Sequence, residues 1–348
     1  MIDYRGARGS NTGDNFHELW VLRHALNLLE QDTELSFITV EGLLPEDEGD
    51  RAATTWDGVD CALYYGGSRV SECSRFVIEQ MKYSGSKPDA EWTIARLTSS
   101  SAKKSDNSVL RRLAAAYEQV RLARGGDSNG VQVRLISNQP VDPHTLDILQ
   151  SLRTKPPKSQ DALAAVSASG LSGDSLVGFF DCLDLKSQTG SRFSIEAGIL
   201  KTISDWTDDD ARALLAEMCD FVRKRMLPES NGERITREDV LLLFGFSNRR
   251  ALFPCPNEIR RIDGPVPRAV VSTVLENMRG GHQFICLHGT GGCGKTTVLQ
   301  EIEPGLPQAS AMVTFDCYGG GRYLDSDAYR HRPQDAFRQF ANDLSTRL

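Results

Sequence analysis

A glycine-rich segment in the last quarter of the sequence has the residue types and spacing of a phosphate-binding loop. It reads GTGGCGKTT from Gly289 to Thr297 and follows a short apolar run, Phe284 to His288. The segment matches the pattern G-x-x-x-x-G-K-[ST], and its surroundings predict a strand before the loop and a helix after it. Glycines let consecutive backbone N–H groups point at phosphate oxygens, and the helix N-terminus adds positive potential. We therefore expect the loop to bind the phosphates of ATP.

The side chains of this loop have separate expected roles. Lys295 would reach the β- and γ-phosphates, and the hydroxyl of Thr296 would ligate Mg²⁺. The residues expected to contact the nucleotide are Gly289, Thr290, Gly291, Gly292, Cys293, Gly294, Lys295, Thr296 and Thr297.

One further strand is predicted after the loop, at Ala311 to Asp316. A nucleoside triphosphatase also needs a later acidic residue at a strand end, which holds Mg²⁺ and positions the attacking water. No later apolar run ends in such a residue before Leu348. We therefore expect the N-terminal part of a nucleoside triphosphatase domain from a longer protein, with poor ATP turnover by this chain alone.

Charged residues near two predicted strands of the N-terminal region are spaced as phosphodiester hydrolysis requires. Asp60 begins one strand, and the next, Arg75 to Tyr83, contains Gln80 and Lys82. Because side chains alternate between the faces of a strand, Gln80 and Lys82 share a face that Glu79 does not. In Mg²⁺-dependent hydrolysis an acid binds the metal, the middle residue orients the metal or its water, and a lysine stabilises the developing charge. This pattern predicts a catalytic site.

Other carboxylates are candidates for the same metal. Glu41, at the end of the preceding predicted strand, is a candidate second ligand, and Glu18 on the first predicted helix is a weaker one. Asp57 could replace Asp60, although Asp60 is closer to the strand. The alternative interpretation is that Asp60 caps a turn and Lys82 is a solvated strand lysine.

The charge composition limits how the chain could bind nucleic acid. The 348 residues include 40 basic and 47 acidic side chains, a net charge of −7, which excludes a globally basic nucleic-acid coat. A local basic stretch from Arg96 to Arg124 is suited either to the backbone of double-stranded DNA or to a solvated helix face. Its basic residues are Arg96, Lys103, Lys104, Arg111, Arg112, Arg121 and Arg124.

No apolar run is long enough for a membrane span, and the N-terminus lacks the basic-then-apolar order of a secretory signal. We therefore expect a cytoplasmic protein without a membrane partner.

The order of patterns along the chain predicts an α/β protein in three parts. Strand-like and helical patterns alternate over residues 1–140, which we expect to form one compact α/β domain. A helical linker domain is expected over residues 141–256 and the truncated P-loop domain over residues 257–348.

Several segments resemble a known family. Gly13 to His17, WDGVD at Trp56 to Asp60, VIEQMKYS at Val77 to Ser84 and SNQPV at Ser137 to Val141 resemble the effector nuclease domain of CBASS-type antiphage systems. That domain has a restriction-endonuclease-like PD-(D/E)xK fold, here in the D…QxK variant of Mrr-like enzymes. With the phosphate loop and FDCYGGGRY at Phe315 to Tyr323, the chain resembles the N-terminal part of an Avs protein. Avs proteins are bacterial STAND ATPases that recognise phage proteins.

The resemblance implies DNA-cleaving roles for Asp60, Gln80 and Lys82 with Mg²⁺, and ATP binding by Gly289 to Thr297. It also implies homo-oligomerisation when a phage protein is sensed, usually through a C-terminal repeat array. We therefore expect a Mg²⁺-dependent DNA endonuclease joined to an ATP-binding switch. The main alternative is a P-loop signalling ATPase whose N-terminal domain is a non-catalytic binding or adaptor module. A P-loop nucleotide kinase is disfavoured by the large N-terminal domain and the helical insertion.

Overall fold

The structure, a computed structural model, divides into two compact units, Met1–Ser247 and Asn248–Leu348. It describes residues 5–30, 33–48, 58–100, 107–206, 210–230, 233–246, 255, 257–308, 310–324, 330 and 332–345. The expected α/β class is confirmed, because the first unit combines helices with a six-stranded mixed sheet.

The sheet of the first unit has the strand order β5-β4-β3-β2-β1-β6. Its strands are β1 (Leu35–Val40), β2 (Cys61–Tyr65), β3 (Arg75–Lys82), β4 (Val131–Ser137), β5 (Leu183–Lys186) and β6 (Ile235–Thr236). Strands β1, β2 and β3 form an antiparallel meander, and β6 pairs antiparallel with β1. Strand β4 runs parallel to β3 and β5 parallel to β4. The meander brings the candidate catalytic residues Glu41, Asp60, Gln80 and Lys82 to one end of the sheet.

Helices cover both faces of this sheet. They are α1 (Arg5–Asn27), α2 (Pro45–Glu48), α3 (Ile94–Thr98), α4 (Val109–Ala123), α5 (Pro143–Ser151), α6 (Gln160–Ser169), α7 (Gly173–Cys182), α8 (Arg192–Trp206), α9 (Ala211–Arg225) and α10 (Arg237–Leu243). On one face, Ile78 of β3 and Tyr117 of α4 belong to a single buried apolar cluster that also includes Phe179 of α7. On the other face α1 lies against the sheet and contacts α8 and α9.

The segment expected to form a separate helical linker over residues 141–256 contributes to this same unit. It supplies β5 and β6 to the sheet, and the side chains of Phe179 and Phe180 on α7 are buried in the core. The boundary expected at residue 140 therefore falls inside a compact unit. Strands of four and two residues are too short to show a period-two pattern, so the sequence of this segment looks helical throughout.

The second unit is largely helical in its described residues. It contains α11 (Ala269–Arg279), α12 (Lys295–Ile302) and α13 (Pro333–Ser345), and Val274 packs with Val298 and Ile302 in a small core. The strands predicted at 284–288 and 311–316 are not formed, since both segments lack regular secondary structure. A strand needs a neighbour to pair its backbone N–H and C=O groups, and the described part of this unit contains no such pairing.

The described residues contain no single helix that is long and apolar enough to cross a membrane. Helices α6 and α7 together have sufficient length and composition, but the chain bends by 103° between them.

A buried carboxylate links α1 to the centre of the sheet. Glu79 on β3 is fully buried, and its Oε2 accepts hydrogen bonds from Trp20 Nε1 at 2.7 Å and His24 Nε2 at 2.9 Å. Its Oε1 accepts one from Arg134 Nη1 on β4 at 3.0 Å. Burial by itself raises the pKa of Glu79, but the charge of His24, the hydrogen bonds from His24 and Trp20, and Arg134 together lower it to about 2. The carboxylate is therefore held ionised inside the protein.

We expect Glu79→Gln to lower the free energy of unfolding by about 3 kcal/mol at neutral pH, because it leaves Arg134 without its buried counter-charge. The folded-state pKa of Glu79 lies below its usual value of 4.5. Its stabilisation is therefore complete above pH 4.5 and is lost as the pH falls towards 2. Urea unfolding followed by tryptophan fluorescence reports on the first unit, which contains every tryptophan: Trp20, Trp56, Trp92 and Trp206.

The exposed carboxylate Asp220, which pairs with Lys224 on α9, provides the control. Asp220→Asn should cause no measurable change in stability. A difference between wild type and Glu79→Gln that stayed constant from neutral pH to pH 2 would contradict the assigned ionisation.

Candidate functional site

Asp60 is fixed by hydrogen bonds that continue the sheet beyond the ends of β1 and β2. Its N–H donates to the carbonyl of Glu79 at 3.0 Å, and its carbonyl accepts from the N–H of Glu41 at 3.1 Å. Its side-chain Oδ2 accepts from the N–H of Met81 on β3. The carboxylate is buried, with 8% of the residue exposed. Both the backbone and the side chain of Asp60 are therefore tied to neighbouring strands.

The strand register explains why Asp60, Gln80 and Lys82 share a face. Ala62 pairs with Ile78 in the antiparallel ladder, so Asp60 lies opposite Gln80. Residues directly opposite each other point to the same side of a sheet, and Lys82 follows Gln80 by one period of two. Burial lowers the pKa of Lys82, while the charges of Asp60 and Glu41 raise it and that of Arg112 lowers it. The ammonium group and the two carboxylates are therefore within electrostatic reach of one another.

Glu41 lies where the chain turns out of β1. Its φ of 53° is in the left-handed region, and the φ of Gly42 is 136°. The hydroxyl of Thr39 donates to the carbonyl of Gly42 at 2.8 Å and closes this turn. A non-glycine residue in the left-handed region costs free energy and is found disproportionately at functional sites. The turn brings the exposed Glu41 carboxylate next to that of Asp60.

His17 joins these two carboxylates, although the sequence reasoning did not select it. Its Nε2 lies 4.0 Å from Asp60 Oδ2. One ligand atom each from His17, Glu41 and Asp60 lie within 4.8 Å of one another. In the sequence, His17 stands between the apolar residues of α1, and only the path of α1 over the end of the sheet reveals its position.

Glu18, the weaker candidate, does not join the site. Its two carboxylate oxygens accept from Arg223 Nε at 2.8 Å and Nη2 at 2.9 Å. The helical period turns Glu18 about 100° away from His17, towards α9. The other alternative, Asp57, lies outside the described residues.

Gln80 has a fully buried side chain, and neither its Oε1 nor its Nε2 has a hydrogen-bond partner among the described residues. An unpaired buried amide costs about 1–3 kcal/mol, so such a group calls for a partner such as an ion or a water. It lies on the face of the sheet that carries Asp60 and Lys82. This buried amide makes the location a candidate binding site.

Most of the described arginines of the basic stretch, Arg96 to Arg124, form intramolecular contacts. Arg96 stacks on Trp92, Arg111 donates to the carbonyl of Ser169, and Arg121 pairs with Glu118. Arg124 donates to three carbonyls, those of Val70, Cys73 and Asn129. Arg112 is close enough to Lys82 to lower its pKa. Lys103 and Lys104 lie outside the described residues.

The glycine-rich loop of the second unit leads directly into α12. Gly292 and Gly294 have φ values of 75° and 83°, which favour glycine, and Gly294 is the N-cap of the helix. Lys295 Nζ donates to the carbonyls of Gly289 at 2.9 Å and Thr290 at 2.8 Å. Arg268 donates to the carbonyl of Cys293, and its guanidinium lies 2.6 Å from the position that a Cβ of Gly294 would take. Two cationic side chains therefore lie at the loop.

Other residues of the loop, and the downstream Asp316, are placed as follows by the structure. Thr296 and Thr297 form the first turn of α12, and Gly291 has open space around its Cα. Asp316, in the second predicted strand, accepts from the N–H groups of Tyr318 and Gly319.

No protein-family model matches the sequence, and no curated protein matches it significantly.

We expect Gln80→Met to raise the free energy of unfolding by about 1–2 kcal/mol in EDTA, because it removes a buried polar group without a partner at nearly constant volume. Gln139→Met is the matched control. Gln139 is equally buried, but it accepts from Arg96 Nη2 at 2.6 Å and donates to the carbonyl of Lys87 at 2.6 Å. This second variant should be less stable than wild type. Urea unfolding measures both, and destabilisation by Gln80→Met would show that Gln80 is satisfied without a ligand.

Proposed function

We propose that the chain is a Mg²⁺-dependent DNA endonuclease effector joined to an ATP-binding switch, and that it acts in bacterial antiphage defence. The observation that supports the nuclease is the convergence of Asp60, Glu41 and Lys82 at one end of the sheet, beside the unpaired Gln80. This combination is expected of phosphodiester hydrolysis and is costly for a purely structural surface.

The residues at the sheet end fit a hard divalent cation. Mg²⁺ prefers oxygen ligands, and the carboxylates of Asp60 and Glu41 together with the amide oxygen of Gln80 supply them. When bound, the ion would polarise the scissile phosphate and lower the pKa of a coordinated water. The N–H of Met81 holds the Asp60 carboxylate in place before any ligand arrives.

The expected role of Lys82 follows from its surroundings. It is partly buried beside two carboxylates, so its ammonium group has a fixed position and is only partly hydrated. From there it can donate hydrogen bonds to phosphate oxygens as negative charge accumulates on them. Arg112 adds a second positive charge on the same side and favours a polyanionic substrate such as double-stranded DNA.

The order of elements supports the restriction-endonuclease-like part of this proposal. Helix α1 is followed by the antiparallel meander β1–β3, then by α4 and the parallel strand β4. The acid comes at the start of β2 and the Q-x-K residues at the end of β3, which are adjacent positions because the two strands are antiparallel.

The glycine loop of the second unit supports the ATP-binding part. Its left-handed glycines, the N-terminus of α12 and the ammonium of Lys295 are the groups that hold nucleoside triphosphate phosphates, with Thr296 placed to contact Mg²⁺. We propose that ATP binding favours a homo-oligomer in the cytoplasm and that a phage protein triggers its assembly. In that assembly several nuclease sites would act on the same DNA.

Asp60→Asn and Lys82→Ala should each slow the cleavage of supercoiled plasmid by at least about 100-fold, because each removes a charge that acts at the reacting phosphate. The assay contains the full chain with Mg²⁺ and ATP, and gel electrophoresis measures relaxed and linear DNA. Lys87→Ala is the control, since Lys87 is exposed beyond the end of β3. Measurable cleavage that is equal for wild type and for both site variants would contradict the nuclease, and would favour an adaptor role for the first unit.

Lys295→Ala should weaken the binding of a fluorescent ATP analogue by at least about tenfold, because Lys295 is the only lysine between residues 248 and 348 and lies on the loop itself. Fluorescence anisotropy measures the dissociation constant. Arg261→Ala removes an exposed cation of the same unit that pairs with Glu303, and should leave the constant unchanged. Equal affinities for all three proteins would place nucleotide binding elsewhere.

A further inference from the structure

We propose that His17 is a third ligand of the metal held by Asp60 and Glu41, and that it makes the site prefer Mn²⁺ to Mg²⁺. This inference rests on the proposed function, because it concerns the same metal. The inference adds a third ligand and a preference among metal ions, neither of which follows from Asp60, Glu41 and Lys82 alone.

The distances among the three side chains suit a shared ion. Metal–ligand bonds of this kind are about 2.1 Å long, so ligand atoms on an octahedral ion lie about 3 Å apart when adjacent and about 4 Å apart when opposite. The ligand atoms of His17, Glu41 and Asp60 lie within 4.8 Å of one another. Small side-chain rotations are therefore sufficient to bring all three onto one cation.

The two sequence neighbours of His17 are fixed on either side of it. Phe16 is fully buried and stacks on Tyr83, with ring centroids 4.7 Å apart, just beyond the end of β3. Glu18 is held by Arg223 through two hydrogen bonds. Since both neighbours are anchored, the backbone of His17 is held over the carboxylates, as a metal ligand requires.

Gln80 provides a second, independent indication of a ligand at this place. The strand register puts it opposite Asp60 on the same face, and both of its polar side-chain atoms are buried without a partner in the segments that the structure describes. An ion between the carboxylates and His17, with its coordinated waters, would bring polar partners to this amide. A simple ion pair between His17 and Asp60 would leave Gln80 unpaired.

The donor set determines the metal preference. Carboxylate oxygens bind Mg²⁺ and Mn²⁺ alike, whereas an imidazole nitrogen suits transition ions and is a poor ligand for Mg²⁺. Replacing one oxygen ligand by a histidine therefore raises the affinity for Mn²⁺ relative to Mg²⁺. The same donor set should also accept Co²⁺ better than Mg²⁺.

The test measures metal binding by the full chain, independently of DNA cleavage. Electron paramagnetic resonance of free Mn²⁺ gives the Mn²⁺ dissociation constant, and competition gives that of Mg²⁺, at a pH where imidazole is neutral. For wild type we expect Mn²⁺ to bind at least about tenfold more tightly than Mg²⁺. His17→Ala should weaken Mn²⁺ binding at least about tenfold and Mg²⁺ binding less than about threefold. His17→Asp should keep Mg²⁺ binding and abolish the preference for Mn²⁺.

His144→Ala is the matched control, because His144 is an exposed histidine on α5 that also faces a carboxylate, that of Asp161. It should leave both constants unchanged, and tryptophan fluorescence checks that each variant is folded. If Asp60→Asn abolishes the binding of both ions while His17→Ala changes neither constant, this inference is wrong and the proposed metal site stands. If no ion binds in a manner that depends on Asp60, both are wrong.

Discussion

The candidate metal site depends on three hydrogen bonds that hold Asp60 between the ends of β1 and β3. Its N–H and carbonyl continue the ladders on both sides, and its carboxylate accepts from the backbone of Met81. The two backbone bonds join the peptide groups of Glu41, Asp60 and Glu79 and involve no side chain. The carboxylate is therefore positioned by the sheet itself, and the other groups of the site are arranged around a fixed point.

Adjacent residues on β3 show how the two faces of one strand differ in function. The Glu79 carboxylate is fully satisfied by Trp20, His24 and Arg134, so it fastens α1 to the sheet. Gln80 is equally buried, but no group in the described part of the chain pairs with its amide. The strong network on one face holds α1, which carries His17, against the end of the sheet. The network around Glu79 therefore fixes the helix that places His17 near Asp60 and Glu41 at the end of the sheet.

The sequence predicted the features that depend on local periodicity. The period of two on β3 correctly put Gln80 and Lys82 on a face that Glu79 does not share. It did not predict His17, because helical spacing alone does not say which sheet edge a helix crosses. Nor did it predict β5 and β6, whose pairing partners lie far away along the chain.

The second unit shows the limit of local patterns more clearly. The apolar runs at 284–288 and 311–316 have the composition of strands but lack regular structure, since strand formation requires a partner as well as a propensity. The path of the glycine loop into α12 is a local property and was predictable, because left-handed φ values and a helix start depend on a few consecutive residues.

The hydrogen bonds of Lys295 to two carbonyls of its own loop have a consequence for selectivity among phosphate compounds. Any anion that recruits this ammonium group must first replace both carbonyls, so weakly charged compounds gain little from the exchange. A ligand with several closely spaced anionic oxygens compensates for both lost bonds at once. Under the proposed nucleotide binding, the loop would therefore favour polyphosphates over monophosphates without any contact to the base or the sugar.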